Sequence, residues 1–195
     1  MRRLLVRRSV TAVGIYTSVV LGFLGTVVAT REFHSTRLFG DYATVLFATG
    51  FLQGLFDLPV AEPLVKYGFR YVTRDDWGRL RRLFVAALRF KLVGSFVGGV
   101  GLIVFSQVAS ARFEIPCLLA AGIPLGQSLE GLAGSMLYLR SRYDVRAVFL
   151  AWSMALRLTG IAIGARYGVA QAIAGVLIAQ VISTASLSIV GRLAF

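Results

Sequence analysis

VRAVFLAWSMALRLTGIAIGA (residues 145–165) and GVAQAIAGVLIAQVISTASLSIVG (residues 168–191) are separated only by Arg166 and Tyr167. Each run is long enough to cross a bilayer core about 30 Å thick as a helix rising about 1.5 Å per residue. So short a connection sends the second run back alongside the first. Lipid cannot satisfy free backbone groups, so both runs read as helices. The pair is an antiparallel transmembrane hairpin, and it sets the class of the chain: all-α integral membrane.

Working outward, four more runs meet the same length requirement, at residues 9–30, 41–65, 83–107 and 117–139. The second is interrupted by Asp57, Pro59, Glu62 and Pro63, so its apolar part is expected to end near Leu58. The third carries Arg89 and Lys91 in its first two turns. Residues 1–195 therefore read as one unit of six transmembrane helices. With 57% hydrophobic and 15% charged residues, the composition agrees with lipid as the main solvent. The first run is longer than a signal-peptide apolar core, so it reads as an uncleaved span.

The net charge of +12 would suggest nucleic acid in a soluble protein. Here the positions of the bases matter more. One set of connections holds Arg2, Arg3, Arg7, Arg8, Lys66, Arg70, Arg74, Arg79, Arg81, Arg82, Arg140, Arg142, Arg146 and Arg192. The other set holds only Arg31, Arg37, Arg112 and Arg166. Fourteen against four predicts both termini in the cytoplasm. Thr73-Arg74-Asp75-Asp76 reads as a helix start capped by the Thr73 hydroxyl, ahead of a basic helix that runs on into the third span.

Several chemistries find no support. His34 is the only histidine and Cys117 the only cysteine, so neither a histidine-built metal centre nor a disulfide framework is expected. No cofactor motif or catalytic constellation is present, and the reading is non-enzymatic. Glycine pairs four apart at Gly50/Gly54, Gly94/Gly98, Gly122/Gly126, Gly160/Gly164 and Gly164/Gly168 predict close helix packing. The informative residues are charges at membrane depth, which are costly unless they face a cavity or each other. Glu130 and Arg157 lie at matching depths on the fourth and fifth spans, close enough to interact. Arg157, Arg89 and Lys91 are the candidates for substrate binding in a cavity. Glu130, Asp57 and Glu62 are the candidates for ion coupling.

The stretch from Arg31 to Ala43, with Leu38-Phe39-Gly40-Asp41-Tyr42-Ala43 ahead of the second span, resembles a segment of polysaccharide and O-antigen flippases. So do Leu64-Val65-Lys66-Tyr67 with the basic stretch at 77–83, and the tight turn at Tyr167-Gly168. These flippases belong to the multidrug/oligosaccharidyl-lipid/polysaccharide exporter superfamily. In them a short outward loop ends in a Phe-Gly-x-Tyr-like turn that opens the second helix. The resemblance implies one six-helix lobe of a two-lobe transporter that works by alternating access in the bacterial inner membrane. It implies an undecaprenyl-diphosphate-linked oligosaccharide as substrate, in polysaccharide or lipopolysaccharide O-antigen biosynthesis. The implied partner is a second lobe or a second copy. The alternatives are a multidrug-type exporter of the same superfamily and a non-transporting scaffold subunit of a polysaccharide-synthesis complex.

Overall fold

The computed structural model describes the backbone of residues 2–56 and 60–193 and the side chains of residues 7–56 and 60–189. It is all-helical, with no strand among the described residues. The helices are α1 (Arg2–Glu32), α2 (Thr36–Phe56), α3 (Ala61–Val72), α4 (Trp77–Val108), α5 (Glu114–Ala120), α6 (Ile123–Leu139), α7 (Tyr143–Gly164) and α8 (Val169–Leu193). Five stretches are long and apolar enough to cross a membrane, with α5 and α6 taken as one. Counting α2 with α3, which bend by 49°, makes a sixth.

The hairpin behaves as its sequence requires. α7 and α8 pack along each other, and Gly168, at φ +131°, makes the turn between them in a conformation that L side chains rarely adopt. Gly160 and Gly175 meet backbone to backbone, and a Cβ on Gly160 would lie 2.5 Å from the Gly175 carbonyl oxygen. Close approach is how helices gain contact where lipid is as apolar as a side chain. Gly94, Gly98, Gly122, Gly126 and Gly164 also face neighbouring helices, whereas Gly50 and Gly54 face open space.

Three local expectations are corrected. The Phe39-Gly40-Asp41-Tyr42 segment is not a loop ending in a turn but part of α2. That helix starts at Thr36, where the Ser35 hydroxyl accepts a hydrogen bond from Leu38 N–H at 3.2 Å. The fourth span divides into α5 and α6, with Gly122 in the break and Pro124 just after it, whereas the division of the second into α2 and α3 falls close to its expected interruption. The cap of α4 is Asp76, which accepts from Arg79 N–H at 3.1 Å, and not Thr73, whose hydroxyl instead closes α3 on Arg70 C=O. The Asp76 carboxylate also pairs with the Arg79 guanidinium at 3.2 Å, which anchors the start of a 32-residue helix.

Ion pairs identify the two ends of the bundle. At one end Arg166 pairs with Glu32 at 2.9 Å and Arg112 with Asp41 at 3.5 Å. At the other Arg7 approaches Asp144 at 3.9 Å. An apolar cluster including Phe33, Val45, Leu102, Ile161 and Ile173 fills the first end, and Leu64, Ala87 and Leu132 form a second cluster toward the other. Between them lies a polar layer in which the Ser95 and Ser128 hydroxyls bond across α4 and α6. Around the bundle, α1 lies on α7, α7 on α8, α8 on α5 and α6, these on α4, and α4 on α2. Although consecutive in sequence, α1 and α2 barely touch. The ring is open there.

Candidate functional site

The opening between α1 and α2 leads into a cleft of about 460 Å3, continuous with a second pocket of about 300 Å3. Gln53, Gln127, Met154 and Arg157 line both. Each wall is one helical stripe with residues three, four or seven apart on the same face. From α2 come Tyr42, Thr49 and Gln53, and from α6 Gln127, Glu130 and Gly134. α7 supplies Arg146, Ser153 and Arg157, while α1 contributes the small residues Gly22, Gly25 and Thr26.

The centre of the site is a hydrogen-bonded chain through Gln180 of α8, which is fully buried. Arg157 Nη2 donates to Gln180 Oε1. Gln180 Nε2 donates to Glu130 Oε2 at 2.7 Å and to Thr184 Oγ1 at 3.2 Å. Thr184 Oγ1 in turn donates to the Gly126 carbonyl at 3.2 Å. The glutamine fits because Gly126 has no side chain, since a Cβ there would lie 2.5 Å from Gln180 Cγ. Glu130 and Arg157 thus meet through an amide. No direct ion pair between them occurs among the described residues.

A second cation enters the cleft from its other end. Arg146 lies in the first turn of α7, with its guanidinium over the Tyr138 ring at 4.3 Å and against Gly134. It stands eleven residues before Arg157 on the same stripe, about 16 Å along the helix axis. Arg146 Nε and Nη1 and Arg157 Nε are buried without a hydrogen-bond partner among the described residues. Two arginines with unfilled donors and one carboxylate give the cleft a net positive character, suited to an anion that takes several hydrogen bonds at once.

Three other sequence candidates, Arg89, Lys91 and Glu62, do not join this site. Arg89 is exposed on α4 and Glu62 is exposed in the first turn of α3. Lys91 is buried within α4 but lines neither pocket. Asp57 lies outside the described residues. Gln180 and Arg146 were missed for different reasons. A glutamine in an apolar run carries no charge to notice, and Arg146 was counted only among the bases that border spans. The signal that finds Arg146 is its register with Ser153 and Arg157.

Among the described residues no three histidine, cysteine or acidic side chains come together as a metal site. No protein-family model matches the chain, and neither a curated protein nor a solved structure does.

Proposed function

We propose that this chain is a membrane transporter lobe that carries an undecaprenyl-diphosphate-linked oligosaccharide across the bacterial inner membrane, with both termini cytoplasmic. The observation that carries the reading is the cleft between α1, α2 and α7, polar at membrane depth and holding Arg157 and Arg146 with unfilled donors. A lipid diphosphate must pass its charged headgroup and sugars through hydrocarbon while its tail stays in lipid. Guanidinium groups in a wet cleft offset part of the headgroup's desolvation. The opening between α1 and α2 is a lateral route for the tail. One bundle supplies one body of an alternating-access machine, so the working unit includes a second lobe, in the same or another chain, or a second copy.

The test is complementation of a flippase-deficient strain by this chain, alone and with a second lobe, beside the native mass of the purified protein. Restored surface polysaccharide that requires Arg157 supports the reading. Full activity from a species shown to be monomeric overturns the paired-lobe part. Inactivity in every combination, with the protein folded in the membrane, shifts the reading to the scaffold. Drug efflux without polysaccharide export shifts it to the exporter.

A further inference from the structure

Apart from the cleft, the bundle holds a groove of about 600 Å3 where α1 lies across the start of α7. Its two ends differ in chemistry. Arg7, Arg8, Ser141 and Asp144 surround one end, while Ala12, Ile15 and Tyr16 line the other. Arg8, Ala12, Ile15 and Tyr16 are spaced three or four apart and share one face of α1. From Arg8 to Tyr16 that face runs about 12 Å along the helix axis. No helix among the described residues covers it, and Tyr16 is 73% exposed. We propose that the groove is a binding site for one phosphatidylglycerol molecule, whose phosphodiester meets Arg7 and Arg8 while an acyl chain lies along Ala12, Ile15 and Tyr16. This site is separate from the cleft and does not rest on the transport reading.

The walls of the groove are held by packing. A Cβ on Gly14 would lie 2.8 Å from Ala147, so α1 settles onto α7 beside the groove. Ser141 adopts φ +55° in the turn between α6 and α7 and donates its N–H to the Tyr138 carbonyl at 2.9 Å. Tyr143 follows, with its ring 5.2 Å from the Tyr138 ring, and forms a side wall. Thr11 also lines the groove, but its hydroxyl donates to Arg7 C=O at 2.9 Å and is satisfied within α1. The polar character is therefore concentrated at the arginine end.

Charge selects the headgroup. Two guanidinium groups against the one carboxylate of Asp144 leave a single positive charge in the groove. Asp144 Oδ2 lies 3.9 Å from Arg7 Nε, a loose pair that leaves Arg7 with donors to offer. Asp144 Oδ1 is buried without a hydrogen-bond partner among the described residues. A phosphodiester carries one negative charge and presents oxygens that match the guanidinium fork. The glycerol headgroup adds neutral hydroxyl donors beside a carboxylate with an unfilled acceptor. A zwitterionic headgroup would leave the positive charge unbalanced. The position fits as well, since the groove begins at a helix end, where headgroups lie, and continues toward hydrocarbon past the exposed Tyr16 ring.

The experiment adds dioleoyl-phosphatidylglycerol or dioleoyl-phosphatidylethanolamine to the purified, delipidated full chain in mild detergent and counts bound lipids by native mass spectrometry. Wild type should hold one phosphatidylglycerol about tenfold or more tightly than phosphatidylethanolamine. Arg7→Gln with Arg8→Gln should weaken phosphatidylglycerol by about tenfold or more and abolish the preference. Ala12→Trp keeps every charge, fills the groove from an exposed position, and should weaken binding as well. Arg81→Gln with Arg82→Gln removes two exposed bases that lie outside the groove, and should leave the first lipid bound as in wild type. Equal binding of the two lipids by wild type overturns the proposal. So does an equal loss in both arginine pairs, which would mean diffuse attraction to a basic surface. Wild-type affinity in Ala12→Trp would put the lipid elsewhere and overturn it too.

Discussion

Arg157 is the fifteenth residue of a 22-residue helix, at a depth where an isolated cation costs about 2.5–3.5 kcal/mol on insertion scales. What offsets that cost is Gln180 on one side and the polar cleft on the other. Arg157→Lys keeps the charge but loses the planar fork, so transport should fall about tenfold or more while the protein still folds. Export assayed in cells, beside the yield of folded protein, separates the two effects. Arg146 gives the opposite balance. Two of its donors are buried without a partner, so Arg146→Gln should leave the melting temperature unchanged or raised, yet reduce transport. A variant that transports normally would show that Arg146 serves only to stack on Tyr138.

At the scale of elements, α7 and α8 approach backbone to backbone where Gly160 crosses Gly175. Neither backbone can yield as a flexible side chain would. Gly160→Leu should therefore destabilise the protein by about 1–3 kcal/mol or more, lowering its melting temperature in mild detergent. Gly50→Leu is the control, because nothing lies within 4 Å of a Cβ there. Equal melting temperatures for the two variants would refute the close-packing account.

What was legible in the sequence follows from the same physics. Apolar length located the helices, and the two-residue link between residues 165 and 168 dictated the hairpin. Helix breaks were less legible, because Gly122 and Pro124 sit inside a run whose hydropathy remains high. The Phe39-Gly40-Asp41-Tyr42 segment suggested a turn only through its resemblance to the flippase segment, and here its contacts hold it within α2. Tyr42 is buried against Phe33 with ring centroids 5.3 Å apart, and Asp41 is paired with Arg112. In the site, Glu130 and Arg157 stood out as charges, while the neutral amide between them did not. Arg89 and Lys91 matched the depth criterion equally well, and only the direction in which α4 faces separates them from the cleft.

For the whole molecule the distribution of bases predicts which end of the bundle faces the cytoplasm. The ion pairs sort the ends without reference to a membrane: Glu32, Asp41, Arg112 and Arg166 share one, and Arg7 and Asp144 the other. The second end also receives the basic run from Lys66 to Arg82, so fourteen of the bases that flank spans gather there. Bases next to short connections resist translocation, which predicts that this end stays inside. Ser35 and Ser110 are exposed at the first end and Ser141 at the second. Cys117 is buried, and Cys117→Ala gives a background without thiols. In that background, cysteines replacing Ser35 or Ser110 should react with a membrane-impermeant maleimide on spheroplasts. One replacing Ser141 should react only after the membrane is opened. The reverse pattern would invert the bundle. The α1–α2 opening and the cleft would remain, but Arg146 would stand at the outer mouth, where it would meet a released substrate and not an arriving one.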